Sequence, residues 1–359
     1  MLAMHMANEL LSLPVASVTL ALGAVVIAVT SRRARRSLDS ERLPLMGVLG
    51  AFVFAAQMIN FTLPGMPGTS GHLGGGVLLA IVLSPAAAIF TMSSILIVQC
   101  LLFQDGGLLA LGCNIINMGV APCLVGWATY RLLLGSPQVA PAWRQYLAAW
   151  LACLAGVVGG AALVPLEARA SGVLQIPLAD FLAIMTGVHL VIGLIEGLIT
   201  FAVIGYLRRV RPALLGLDRS NALSRLNRTA VAGSLVLTAA VLAGIVSWFA
   251  STHPDGLEWS YLVRRYGPVE QSIRQPVPAV AAVNQWQARW SPLTDYDRRQ
   301  APLGQPTLAE PAKPDTAWPH VNGWGSLAGV IGTATTLVVL YVASMLMRRR
   351  RASPAATMA

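Results

Sequence analysis

Apolar residues in this chain come in long unbroken runs, at 14–30, 43–63, 74–103, 108–134, 146–165, 178–207, 229–250 and 326–347. Most reach the ~20 residues a helix needs to cross a ~30 Å hydrocarbon core, where a backbone must satisfy its own hydrogen bonds. The pattern predicts an all-α integral membrane protein of about eight helices. Pro85 interrupts the run 74–103. Proline removes a backbone donor and ends or breaks a helix, so a short helix over 74–83 and a full one over 86–103 are expected.

Charge sets the direction of the spans. Arg32, Arg33, Arg35, Arg36 and Arg42 follow the first run; Arg208, Arg209, Arg211, Arg219, Arg225 and Arg228 fill one later loop; Arg348, Arg349, Arg350 and Arg351 follow the last. Arginine-rich loops stay cytoplasmic. The segment 251–325 sets Asp255, Glu258, Glu270, Asp295, Asp297, Glu310 and Asp315 against Arg264, Arg265, Arg274, Arg289, Arg298, Arg299 and Lys313, and so belongs outside. The amino terminus is then outside and the carboxyl terminus cytoplasmic. An even number of spans must separate the first two basic loops, and only the split at Pro85 gives one. The split also places Arg131 and Arg144 in an inside loop. A half-length helix is tolerated where neighbours shelter it or where it lines a cavity. Residues 1–13 carry no basic n-region and arginines follow the first run, so that helix is expected to be retained.

Composition agrees. Hydrophobic residues make up 55% and charged residues 11%, against ~25% charged in soluble domains, and mean hydropathy is +0.65. The net charge of +10 sits at helix ends, which argues against nucleic acid as a partner. Cys100, Cys113, Cys123 and Cys153 lie in apolar runs at no metal-binding spacing and are expected to pack as small apolar residues. The single lysine, Lys313, lies between Ala312 and Pro314, so there is no phosphate-binding P-loop. No metalloprotease, dinucleotide or hydrolase-elbow motif occurs either. The chain is expected not to be an enzyme, and any ATP hydrolysis belongs to another subunit.

Two histidines stand out at the outer face. His5 sits between Met4 and Met6, and His72 lies in a glycine-rich loop ending at Gly76. Imidazole suits nickel, cobalt, copper and zinc. Were Met4 the first residue, its amine, the His5 backbone nitrogen and the His5 imidazole could chelate one ion in a plane, with His72 as a fourth nitrogen donor. Two exposed loop histidines without a ligand role are the bland alternative. His189 and Glu196 share a helical stripe with Thr200, ~10 Å apart along the axis. Ionisable groups at membrane depth mark function or an internal partner, here a ligand or a brace between helices. Gln57 with Asn60, and Asn114 with Asn117, form polar pairs that line a cavity or join helices. On the second helix Gly47, Ala51 and Ala55 offer a close-contact face, for ordinary packing or for docking another subunit.

The Met4-His5-Met6 string, the loop from Pro67 to Gly76 with His72, the run from Gln104 to Met118, and the run from Gly187 to Thr200 together resemble the CbiM/NikM substrate-binding (S) components of energy-coupling-factor transporters. The string Pro254-Asp255-Gly256-Leu257-Glu258 resembles the signature of the small CbiN/NikN component, here fused to the same chain. The resemblance implies a seven-helix S-component-like bundle, its third helix short and broken at Pro85, plus one additional C-terminal transmembrane helix. It implies a substrate-binding component of an ATP-driven importer that captures Ni2+ or Co2+ on the extracytoplasmic side, in a bacterial inner membrane. Its partners would be ATPase subunits, a transmembrane coupling (T) subunit and membrane lipid. Metal ligand roles fall on Met4, His5 and His72; Met1-Leu2-Ala3 ahead of them departs from the family pattern. Asn60, Ser70, Asn114, Asn117, His189 and Glu196 are further candidates around the site or along its pathway.

The expected organisation is a metal-binding membrane domain over 1–211, a basic linker over 212–228, a CbiN/NikN-like region over 229–351 whose two transmembrane helices flank 251–325, and a tail over 352–359. The tryptophans Trp259, Trp286, Trp290, Trp318 and Trp324 of that outer segment are candidate interfacial anchors. Two rivals stand beside this reading. One is a rhomboid-like intramembrane serine protease, with Ser70 in a Gly68-Thr69-Ser70-Gly71 loop as nucleophile and His189 as base. Against it, the serine lies among prolines in an outer loop. The other is a metal carrier with no ATPase partner.

Overall fold

The computed structural model describes residues 5–37, 42–173, 176–217, 228–262, 277–297 and 318–349. Its helices are α1 (Leu13–Ser37), α2 (Arg42–Gln57), α3 (Gly76–Val82), α4 (Pro85–Phe103), α5 (Leu111–Asn114), α6 (Ala121–Leu134), α7 (Ala142–Ser171), α8 (Leu178–Val210), α9 (Arg228–Gly244), α10 (Gly256–Leu262), α11 (Pro278–Trp290) and α12 (Gly323–Arg349). A π-helical segment, Ile115–Val120, joins α5 to α6 into one span. Among the described residues six helices are long and apolar enough to cross a membrane, and Pro44–Gln57 and Ala230–Gly244 are shorter apolar helices. The chain is a multi-pass membrane protein.

Burial orders the bundle. Of the apolar stretch of α4, 67% is buried, against 22% for α1, so α4 is central and α1 peripheral. Outward-facing Val18, Leu22 and Val25 on α1, Leu237 and Val241 on α9, and Val338 and Val342 on α12 form the lipid-facing surface. α7 packs along both α6 and α8, while α2, α9 and α12 form a second group that meets α4.

α3 is a half-span of about 10 Å. It stops at Leu83; Ser84 then caps α4 by accepting from the Ala87 N–H at 3.3 Å, with Pro85 in the first turn, where its missing donor costs nothing. α3 is sheltered by α4, α6 and α7.

Several expectations change. Two apolar helices follow α8, namely α9 and α12, as the organisation with two helices flanking 251–325 expected and one more than the bundle count allowed. The run 43–63 is helical only to Gln57; Phe61–Thr62 pairs antiparallel with Ser70–Gly71 in a small hairpin. Pro64, Gly65, Pro67 and Gly68 between them favour the turn over the helix. Asn60 therefore lies beyond the helix and does not share a helical face with Gln57. Of the two readings of the α2 close-contact face, ordinary packing holds: a Cβ on Gly47 would lie 3.3 Å from Leu337, and one on Gly332 would strike Phe54 at 2.1 Å. Only residues 212–217 and 228 of the expected linker are described, and the tail 352–359 lies outside the described residues.

Candidate metal centre

His5 and His72 come from segments far apart in sequence, yet both are buried and their rings stack with centroids 6.0 Å apart and an interplanar angle of 21°. His72 Nδ1 lies 2.9 Å from the Leu73 carbonyl, a contact that makes Nδ1 the protonated nitrogen and leaves Nε2 as a lone-pair donor. The Nε2 atoms of both histidines are buried without a hydrogen-bond partner. Burial, then the neighbouring His5, push the His72 imidazole down to about 4, keeping it neutral and able to bind metal at ordinary pH. Met4 lies outside the described residues.

A third group closes the cluster. Asp105 Oδ1 is 2.6 Å from His5 Nδ1, and Asp105 Oδ2 accepts from the Tyr296 hydroxyl at 2.5 Å. Burial alone would raise this carboxyl, but the charge and hydrogen bond of His5, with Tyr296 and then His72, hold it below the usual carboxylate range. Gly106 follows at φ +88°, a left-handed conformation, and a Cβ there would lie 2.8 Å from the His5 Cβ. Among the described residues no group of three or more His, Cys, Asp or Glu is arranged to hold an ion by itself.

Each partner is held from behind. Asn114 pairs with the Met6 backbone as a strand would: its Oδ1 accepts from Met6 N–H at 2.7 Å and its Nδ2 donates to Met6 O at 3.2 Å. The Met6 carbonyl also accepts from Gly107 N–H at 3.0 Å. Asn117 Nδ2 reaches the Met6 sulfur at 3.6 Å and Glu167 at 2.6 Å. On the His72 side, Glu196 accepts from the N–H groups of Gly74 and Gly75 at 2.7 and 3.0 Å, and Gln57 donates to the Gly74 carbonyl at 2.8 Å. Glu196 thus braces the His72 loop. His189 lies on the same stripe of α8, its Nδ1 bonded to the Met185 carbonyl at 2.7 Å. Asn114, Asn117, His189 and Glu196 all line one cavity of about 50 Å³ beside Gly74.

The second half of the chain reaches this centre at three points. Pro254 accepts from Ser70 N–H at 2.8 Å, and the Ser70 hydroxyl donates to the His253 carbonyl at 2.8 Å, tying the hairpin next to His72 to the Pro254–Glu258 string. Asp255 caps α10 by accepting from Glu258 N–H at 2.8 Å, and Gly256 fits against α8, where a Cβ would lie 2.5 Å from Val188. The buried Gln287 is saturated: its Oε1 accepts from Asn8 Nδ2 and Leu108 N–H, and its Nε2 donates to the carbonyls of Cys100 and Gly106. Tyr296, on Asp105, stacks against Phe103 at 4.5 Å.

Of the sequence candidates, the structure brings His5 and His72 together and sets Asn114, Asn117, His189 and Glu196 around them. Asn60 and Ser70 join the hairpin to residues 251–255 instead, the Asn60 carbonyl accepting from Ser251 N–H at 2.7 Å. The protease pairing is not formed, since the Ser70 hydroxyl donates to the His253 carbonyl and not to His189. Sequence reasoning missed Asp105, Gln287 and Tyr296. Asp105 had a signal, as an acid at the end of a long apolar run and just before two glycines; Gln287 and Tyr296 had none.

Residues 5–214 match the family described as CbiM, cobalt uptake substrate-specific transmembrane region, and residues 229–349 match the PDGLE domain. A putative metal transport protein of Haloquadratum walsbyi is 36% identical over 212 residues, 59% of this chain and 93% of that one. The fused nickel transport protein NikMN of Rhodobacter capsulatus is 29% identical over 323 residues, covering 84% and 91% of the two chains. A crystal structure described as a transition metal transporter, 30% identical, covers 57% of this chain and 92% of its own with a TM-score of 0.45.

Proposed function

Since the chain belongs to the CbiM family and carries a PDGLE domain in the same polypeptide, we propose that it is the substrate-binding transmembrane component of an ATP-driven nickel or cobalt importer. One observation carries the reading: two buried imidazoles, 6.0 Å apart, each hold an unpartnered Nε2. A buried polar atom left without a partner costs ~1–3 kcal/mol, a cost that an arriving divalent ion relieves. Neutral imidazoles bind nickel and cobalt, and the relatives' names include nickel transport.

The remaining donors in this reading are the His5 backbone nitrogen and the amine of Met4, exposed by initiation at Met4 or by removal of the three residues before it. A planar all-nitrogen set favours nickel over cobalt. Asp105 holds the His5 ring until the ion arrives, and Asn114 and Glu196 are positioning residues on either side. The site lies at the end of the bundle opposite Arg35, Arg36, Arg208 and Arg209, which the positive-inside rule puts in the cytoplasm, so capture is from outside. Separate ATPase subunits and a coupling subunit supply the energy. The domain boundaries of this reading are 1–211 and 229–351.

The test is nickel and cobalt content of the purified protein, with mass determination of its mature amino terminus. His5→Ala and His72→Ala should each lose the ion while Ser70→Ala keeps it. Retention in both histidine variants would overturn the assignment. Uptake that persists when the partner ATPase is inactivated would favour an ATPase-independent carrier.

A further inference from the structure

α11 turns two large indoles outward while it buries polar amides. Its inner face carries Asn284 and the buried Val280 and Gln287, whereas its outer face shows Ala279, Ala282, Gln285, Trp286, Arg289 and Trp290. Trp286 is 51% exposed and Trp290 66%, with ring centroids 6.4 Å apart on adjacent turns. Asn284 and Gln287 point into the protein, and the two indoles point out with Gln285 and Arg289 beside them.

The height of the helix is fixed by its anchors. Gln287 donates to the Cys100 carbonyl, the Ser291 hydroxyl to that of Leu101, and Leu293 N–H to that of Leu102, so the end of α11 lies along the last turn of α4. Leu101 is itself 44% exposed on the lipid-facing side. At the other flank Asn284 bonds Asn8 at 2.5 Å and also Glu9, just ahead of α1, whose Leu13 and Val18 face outward. α11 therefore lies across the outer ends of two spans, continuous with the surface that lipid covers. That is the depth at which indole is favoured, with its apolar body in the acyl boundary and its N–H among headgroups, and the exposed Arg289 on the same face suits a phosphate.

We propose that the outer leaflet is the partner of this face: Trp286 and Trp290 seat in the headgroup region, and that seating presses Asn284 and Gln287 onto the segment that carries His5. The bilayer thereby helps to hold one of the two imidazole-bearing strands in place. Loss of the lipid contact would loosen Asn8, Glu9 and Gly106 together, because one helix bonds all three.

Full-length protein in lipid nanodiscs tests this in two arms. A bimane label on Trp290→Cys should be quenched by headgroup-spin-labelled phosphatidylcholine at least about twofold more strongly than by deep-chain label, and be shielded from aqueous iodide. Free quenching by iodide with none by either lipid would overturn the proposal, and shielding from all three quenchers would give the face to a protein partner instead. The second arm rests on the metal reading, which the first does not. Trp286→Gln/Trp290→Gln should weaken nickel retention by about 10-fold in nanodiscs, while Trp286→Phe/Trp290→Phe should recover most of it. Wild-type retention in the glutamine variant would sink the coupling between bilayer and site.

Discussion

Replacing Glu196 by glutamine separates the positioning of His72 from the stability of the fold. The carboxylate accepts two backbone hydrogen bonds, from Gly74 at 2.7 Å and Gly75 at 3.0 Å, two and three residues past His72. Glutamine keeps one acceptor oxygen and turns an amide N–H₂ against the other backbone N–H, so one bond is lost and a donor faces a donor. A hydrogen bond to a charged group contributes about 1.5–3 kcal/mol net. Removing the buried charge also removes its desolvation cost, which offsets part of that loss in overall stability. The loop keeps no such compensation. If its binding-competent arrangement is weakened by the full amount, apparent nickel affinity falls about 10- to 150-fold. Gly74→Ala should reproduce the effect from the other side, because its Cβ would lie 2.9 Å from the Glu196 Oε2. The assay is nickel titration of purified protein with thermal unfolding measured in parallel. Affinity within about twofold of wild type in Glu196→Gln, with melting unchanged, would refute the bracing role.

Gly106→Ala forces a side chain onto a residue at φ +88° and into the His5 Cβ; it should cost about 2 kcal/mol or more and abolish metal retention, read by melting and metal analysis. Gln287→Ala leaves Leu108 N–H and the Gly106 carbonyl unpaired, and chemical denaturation should show a loss of about 3 kcal/mol. His72 titrates near 4 in the folded protein and 6.5 in the unfolded chain. Between those values only the unfolded state takes up the proton, so metal-free stability is full above pH 6.5 and falls by about 3 kcal/mol as pH drops toward 4. A melting temperature flat across that window, or one that His72→Gln leaves equally pH-sensitive, would contradict it.

How much of this was legible in the sequence depends on what each residue's partner is. The spans were readable because hydropathy acts along the chain, and the break before α4 because Pro85 acts on its own helix. His5 and His72 were readable as candidates because few side chains bind transition metals. Their convergence was not derivable from spacing, since it depends on Asn114 pairing with a backbone about a hundred residues away. Asn60 was misplaced because an apolar run does not reveal that its last residues leave the helix for a hairpin. The α2 face stayed open between internal packing and docking because nothing local marks Leu337 as its neighbour. Gln287 was invisible for the same reason: a lone glutamine in a helix looks solvated until the carbonyls of Cys100 and Gly106 are known to face it. Trp259 was grouped with the interfacial tryptophans, yet it is partly buried against the cluster of Leu63, Val157, Val188 and Ile192.

The wide turn at Ile115–Val120 has a consequence for protein engineering. It holds one residue more than regular helix requires, and its Asn117 carbonyl bulges toward α7, where a Cβ on Gly160 would lie 2.1 Å away. Deleting a single residue there would let the whole span wind as ordinary helix without lengthening any loop. The halves on either side would keep their relation, because five residues of regular helix turn through about 500°, close to the turn of the six wide ones, and Asn114 would stay on the Met6 peptide. One residue removed from this apolar, seemingly featureless stretch should therefore be tolerated, whereas the same deletion within α4 would turn one half of that helix by about 100° against the other.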